Sequence, residues 1–142
     1  MLVVGGIPAM FAIHELQRSY FDGNYLATIL TAQVFVEHSL GGMFSLAGED
    51  KVVELGFSNL IEVARARNMV NNEVAERLHH LRKTQNPYSH PHAGIAPRSY
   101  MARLREHFKD PEQLAEDDAR RAIRTVIDFL RDGSPNWVPP RP

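Results

Sequence analysis

The 142-residue chain is 44% hydrophobic and 23% charged, with 16 basic against 17 acidic side chains and a net charge of −1. Such a balance gives no overall pull towards nucleic acid or an anionic membrane. The absence of cysteine excludes disulfides, thiolate-bound zinc and thiol nucleophiles, and fits a reducing, cytoplasmic setting.

The opening "MLVVGGIPAMFA" lacks the basic start of a secretory signal and is too short to span a bilayer, so an ordered N-terminus and no membrane partner are expected. Phe11, Leu16 and Tyr20 fall at helical spacing on a first helix reaching about Asp22-Gly23. The next stretch, "NYLATILTAQVFVEHSL", is apolar nearly all round, as a helix in the middle of a bundle must be. Gly41-Gly42 is expected to loosen its end, and Gly48 to stop the short stretch after it. A third helix places Phe57, Leu60, Ile61 and Ala64 on one face. Asn71 or Asn72 caps a fourth, with Val74, Leu78 and Leu81 inward. A shorter helix is predicted from Arg98 to Phe108. Asp110, Pro111 and Gln113 then spell a helix start, followed by the stripe Ala119, Ala122, Ile123, Val126, Ile127 and Leu130, with Gly133 and Pro135 as the stop. No period-two alternation marks a strand. The reading is an all-α, up-and-down bundle of five to six helices: one domain over residues 1–133 and a Pro-rich tail over 134–142, where Trp137 docks on the body or a neighbour.

Charge is unevenly spread. Residues 1–60 hold two basic and six acidic side chains, a balance of −4; residues 77–109 hold seven and one, a balance of +6. Within the basic third lies "LRKTQNPYSHPH", residues 81–92. Arg82 and Asn86 share a helix face if helix persists that far. Pro87 and Pro91 disfavour helix at Asn86 and His90, which predicts a stiff, non-repetitive segment. Stiffness suits a catalytic histidine and a structural turn equally, and on spacing alone the turn is the simpler reading.

The order of these features resembles the HEPN superfamily of helical domains over roughly residues 12–132. "ELQRSYFDGNYLATILTAQVFVEHSL" is similar to its first two helices, the second with an acidic residue near its end, here Glu37. "LGFSNLIEVARARNMVNNEVAERLHHLRKTQNPYSH" resembles its third helix, turn and signature helix, and "AEDDARRAIRTVIDFL" its closing helix. The family includes antiviral and toxin ribonucleases as well as non-catalytic nucleotide-binding or scaffolding members. Its hallmark is an arginine, a polar residue and then a histidine four to six residues beyond the arginine. Asn86 and His90 match the second half; Gln85 stands where the arginine is expected, with Arg82 about one turn earlier and Lys83 beside it.

The resemblance implies metal-free RNA cleavage with no cofactor, in which the 2′-hydroxyl attacks its own neighbouring phosphate. His90 would move the proton, Arg82 stabilise charge on the phosphoryl oxygens, and Asn86 orient one or the other. Lys83, Gln85, Tyr88 and His92 would bind RNA or a nucleotide phosphate. A symmetric homodimer is implied, with a cognate partner protein in a toxin–antitoxin or defence setting. The alternative is a catalytically inactive dimerisation or interaction module, because Gln85 carries no charge.

Other groupings have plainer readings. His79 and His80 point about 100° apart on a helix and no cysteine or carboxylate completes a metal set nearby, so no metal site is expected. Glu37 is expected to pair with an arginine such as Arg82. Tyr88 either stacks on a base or anchors the loop. Arg120, Arg121 and Arg124 are expected to pair with Glu116, Asp117 and Asp118 along one wet helix face.

Overall fold

A computed structural model describes residues 5–90, 99–107 and 109–133. Among them are seven α-helices and no strand: α1 Gly6–Phe21, α2 Tyr25–Leu46, α3 Asp50–Val53, α4 Phe57–Ala66, α5 Asn72–Ser89, α6 Tyr100–His107 and α7 Pro111–Asp128, closed by a π-helical turn at Phe129–Gly133. The expected Met1–Val4 start, Pro91, His92, Arg98, Phe108, Pro135 and Trp137 lie outside the described residues.

α2 is the axis of the bundle. It packs against α1, α3, α4, α5 and α7, and buries Ile29, Ala32, Phe35, Val36, Leu40, Met43 and Phe44 around most of its circumference. Burial of one such side chain stabilises by roughly 1.5–3 kcal/mol, which is why an all-round apolar helix sits here. The helix continues through Gly41 and Gly42 to Leu46, further than the glycines suggested. At Gly41 a Cβ would lie 3.3 Å from Val53 Cγ1, so the missing side chain admits the one-turn α3. Glycine there serves a close approach between helices.

α1 and α2 form a hairpin fastened at one end by Ser19 and Thr28, whose hydroxyls are 3.0 Å apart. At the other end Gly5 has φ 120°, and a Cβ would meet the His38 carbonyl oxygen at 2.7 Å. On α1 the inner positions belong to Ala9, Ala12 and Leu16, while Phe11 faces solvent. Small residues let the two helices approach closely.

α4 buries Phe57, Leu60, Ile61 and Ala64, as its spacing predicts. The Asn71 side chain accepts from Val74 N at 2.8 Å and starts α5, which turns Val74, Ala75, Leu78, Leu81 and Thr84 inward. Asp110 accepts from Gln113 N at 2.9 Å at the start of α7, with Pro111 in its first turn. The end of α7 passes into the π-helical turn, where fully buried Phe129 meets Phe35 edge-on at 6.5 Å. Ile127 departs from its expected place: it is 53% exposed. No described helix is long and apolar enough to cross a membrane.

Candidate functional site

α5 does not break at Pro87. The helix runs on to Ser89, and His90 N donates to Asn86 O at 3.0 Å. Pro87 lies within the last turn, so its missing N–H forfeits one intrahelical bond, that of the Lys83 carbonyl, and the turn survives the loss. Asn86 is therefore helical, contrary to the expected irregular segment; the chain leaves the helix at His90, with φ −128° and ψ 136°.

This geometry sets Arg82, Asn86 and His90 at one-turn intervals along one side of α5, Asn86 half-buried and His90 exposed. Arg82 is half-buried with its Nε enclosed and lacking a hydrogen-bond partner. Its guanidinium enters no ion pair among the described residues, so the expected Glu37–Arg82 pair is absent; Glu37 instead accepts from Gln33 Nε2 at 3.5 Å. Two turns separate Arg82 from His90, roughly 12 Å of helix rise. Within one chain the two side chains thus leave the helix two turns apart. Lys83 is exposed on the outer face. Gln85 follows Leu81 by one turn and is half-buried at the edge of the inward stripe, three residues from Arg82 on the adjoining face.

Tyr88 resolves as an anchor. Its hydroxyl donates to Asp118 Oδ2 at 2.9 Å, and its ring meets that of Tyr100 at 5.1 Å. Arg103 of α6 grips the same carboxylate with both Nη atoms, at 2.8 and 2.7 Å. Asp118 is 1% exposed and Arg103 17%. Burial, then the Asp118 charge, pushes the Tyr88 hydroxyl far above its ordinary range, so it stays a donor. Burial works against the Arg103 charge, and Asp118 more than offsets it.

That capture of Asp118 rearranges the expected pairing on α7. Arg120 pairs with Glu116 in the same helix as anticipated, but Asp117 pairs with Lys109 and Asp118 with Arg103. Arg121 and Arg124 are left with no carboxylate partner among the described residues. Arg121 Nη1 approaches His80 Nε2 at 3.0 Å. His79, one position earlier, faces the other way and meets Glu62 at 2.6 Å.

Sequence reading missed both the Asp118 junction and the Arg121–His80 contact, since each joins different helices. A usable signal was present: Arg121, Arg124 and Asp128 recur at helical spacing on one side of α7. Among the described residues no three His, Asp or Glu side chains converge to hold a metal ion. Compared with family models, curated proteins and solved structures, the chain matches none.

Proposed function

We propose that the C-terminal end of α5 engages the phosphate backbone of single-stranded RNA, and that two HEPN-like copies cleave it without a metal. The observation that supports this reading is the line Arg82–Asn86–His90 on one side of α5, with a guanidinium that no carboxylate neutralises among the described residues. A guanidinium remains charged at any working pH and offers a fork to phosphate oxygens. His90, exposed beyond the last turn, accepts the 2′-hydroxyl proton in this proposal. The 2′-oxygen then bonds to the neighbouring phosphorus, the 5′-oxygen leaves with a proton, and the products are a 2′,3′-cyclic phosphate and a 5′-hydroxyl end. Because Arg82 and His90 of one chain stand two turns apart, the second copy supplies the guanidinium that faces the imidazole across a two-fold axis.

The test is incubation of labelled single-stranded RNA with the purified protein in a chelator. Cleavage with a 2′,3′-cyclic end is expected. His90→Ala should abolish it, and Arg82→Ala should slow it by about 10²–10³, the cost of losing one charge-stabilising donor. His79→Ala should retain activity. RNA that is bound but uncut by the unaltered protein would leave only the binding half of the proposal.

A second reading, an inactive interaction module, draws on Gln85 and on the apolar residues that the α1–α2 hairpin turns outward: Ile7 at 65%, Phe11 at 62% and Phe21 at 86% exposure. It expects no cleavage, and partner binding that is weakened by Phe11→Asp.

A further inference from the structure

Between α5 and α7 runs a groove of about 700 Å³, within the range that holds a nucleotide-sized molecule. His80 lines it from α5; Arg121, Arg124, Thr125 and Ile127 line it from α7. It opens on the flank of α5 opposite Arg82 and Asn86, so it is independent of the site proposed above.

We propose that this groove is a nucleotide-binding site in which Arg121 and Arg124 hold a phosphate and the base lies along Ile127. The charges divide the groove in two. At one end Glu73, Glu76 and Asp128 outnumber Arg77, which pairs with the first and last of them, while Arg65 divides itself between Glu76 and Glu62, so that end is acidic. At the other end Arg121 and Arg124, one helical turn apart, have no carboxylate partner among the described residues, since Asp117 and Asp118 are held by Lys109 and Arg103. Two guanidiniums at this spacing repel each other, with Lys83 close enough to His80 to be felt there. An anion between them relieves that repulsion. A phosphoryl group, with three oxygens, satisfies two forks better than a carboxylate does.

His80 adds a defined donor. Arginine can only donate, so His80 Nε2 must be the acceptor of the Arg121 contact and Nδ1 carries the hydrogen. Ile127, an apolar side chain 53% exposed at the edge of a charged groove, offers an apolar surface against which one face of a base can lie.

The phosphate can belong to a free nucleotide or to a nucleotide within RNA, and the experiment separates the two. Binding of AMP by calorimetry and of a fluorescent decamer of riboadenylate by anisotropy is compared between the unaltered chain and the Arg121→Ala/Arg124→Ala double variant, each checked by circular dichroism. At least a tenfold weakening in the double variant is expected, about 1.4 kcal/mol. Loss for both probes assigns the site to free nucleotides as well as RNA; loss for the decamer with no AMP binding at all assigns it to the strand. Ile127→Asp, which keeps both arginines, should weaken the same probe. Weakened AMP binding in the double variant of a chain that cuts no RNA would sink the cleavage proposal and leave this one standing. Equal affinity of the unaltered and double-variant chains for both probes, or no binding of either, overturns it.

Discussion

Asp118, 1% exposed, receives Arg103 through two hydrogen bonds and Tyr88 through one, which lets substitutions there separate two costs. Asp118→Ala strands a guanidinium that is largely out of water, and breaking a buried pair in this way costs about 3 kcal/mol or more. Tyr88→Phe removes a single hydrogen bond to a charged acceptor, about 1.5 kcal/mol. Urea denaturation should rank the two variants in that order. Neither role was legible in the sequence: Asp118 stands four residues before Ala122 and three before Arg121, and local spacing assigns it to its own helix. Its true partners come from α5 and α6, a choice that only packing makes. His80 offers a second test. Burial first, then the Arg121 charge, holds its pKa below the ordinary 6.5. The folded state thus prefers the neutral ring, whose contribution is complete above about pH 6.5 and shrinks as acid carries pH through the lower folded value. Thermal scans at pH 7.5 and 5 should show a smaller loss of stability in His80→Gln than in the unaltered chain.

At the scale of elements, α4 and α7 were legible because their apolar spacing, Ile127 apart, agrees with their burial, α7 also through its Asp110 cap, and α2 because it is apolar nearly all round. α5 was legible until Pro87, where local chemistry and tertiary packing disagree. Proline disfavours helix at the residue before it, yet Tyr88 is tied to α7 and the His90 amide closes the turn on Asn86. Those ties decide the outcome, since only one backbone bond is forfeited. The position of Asn86 then depends on the Asp118 junction and not on proline stiffness. Pro87→Ala restores an N–H for the Lys83 carbonyl, and it should leave stability unchanged or raise it by up to about 1 kcal/mol. The RNA affinity proposed for the end of α5 should be unaltered. A marked loss of affinity in a folded Pro87→Ala protein would return the role of positioning to the ring.

For the molecule as a whole, charge counted along the chain suggested a basic third over residues 77–109. Folding cancels much of it. Arg77, Arg103 and Lys109 all meet acidic residues from α7, leaving Arg82 and Lys83 on α5 and Arg105 on α6 without a carboxylate partner among the described residues. The bundle class was visible in sequence because period and capping are local. The distribution of surface potential was not, because it depends on which helices become neighbours.

The junction at Asp118 has one more effect. α6 buries none of its own residues; it is moored by Arg103, by the Tyr100 ring against that of Tyr88, and by the Tyr100 hydroxyl, which donates to the Pro111 carbonyl at 2.6 Å. A helix attached by polar cables and one ring contact, with no fully sunken keel, can cast off while the hull stays intact. Amides of residues 100–107 should therefore exchange with deuterium through a shallow local opening, at rates that Asp118→Asn accelerates, while those of α2 wait for the entire vessel to founder.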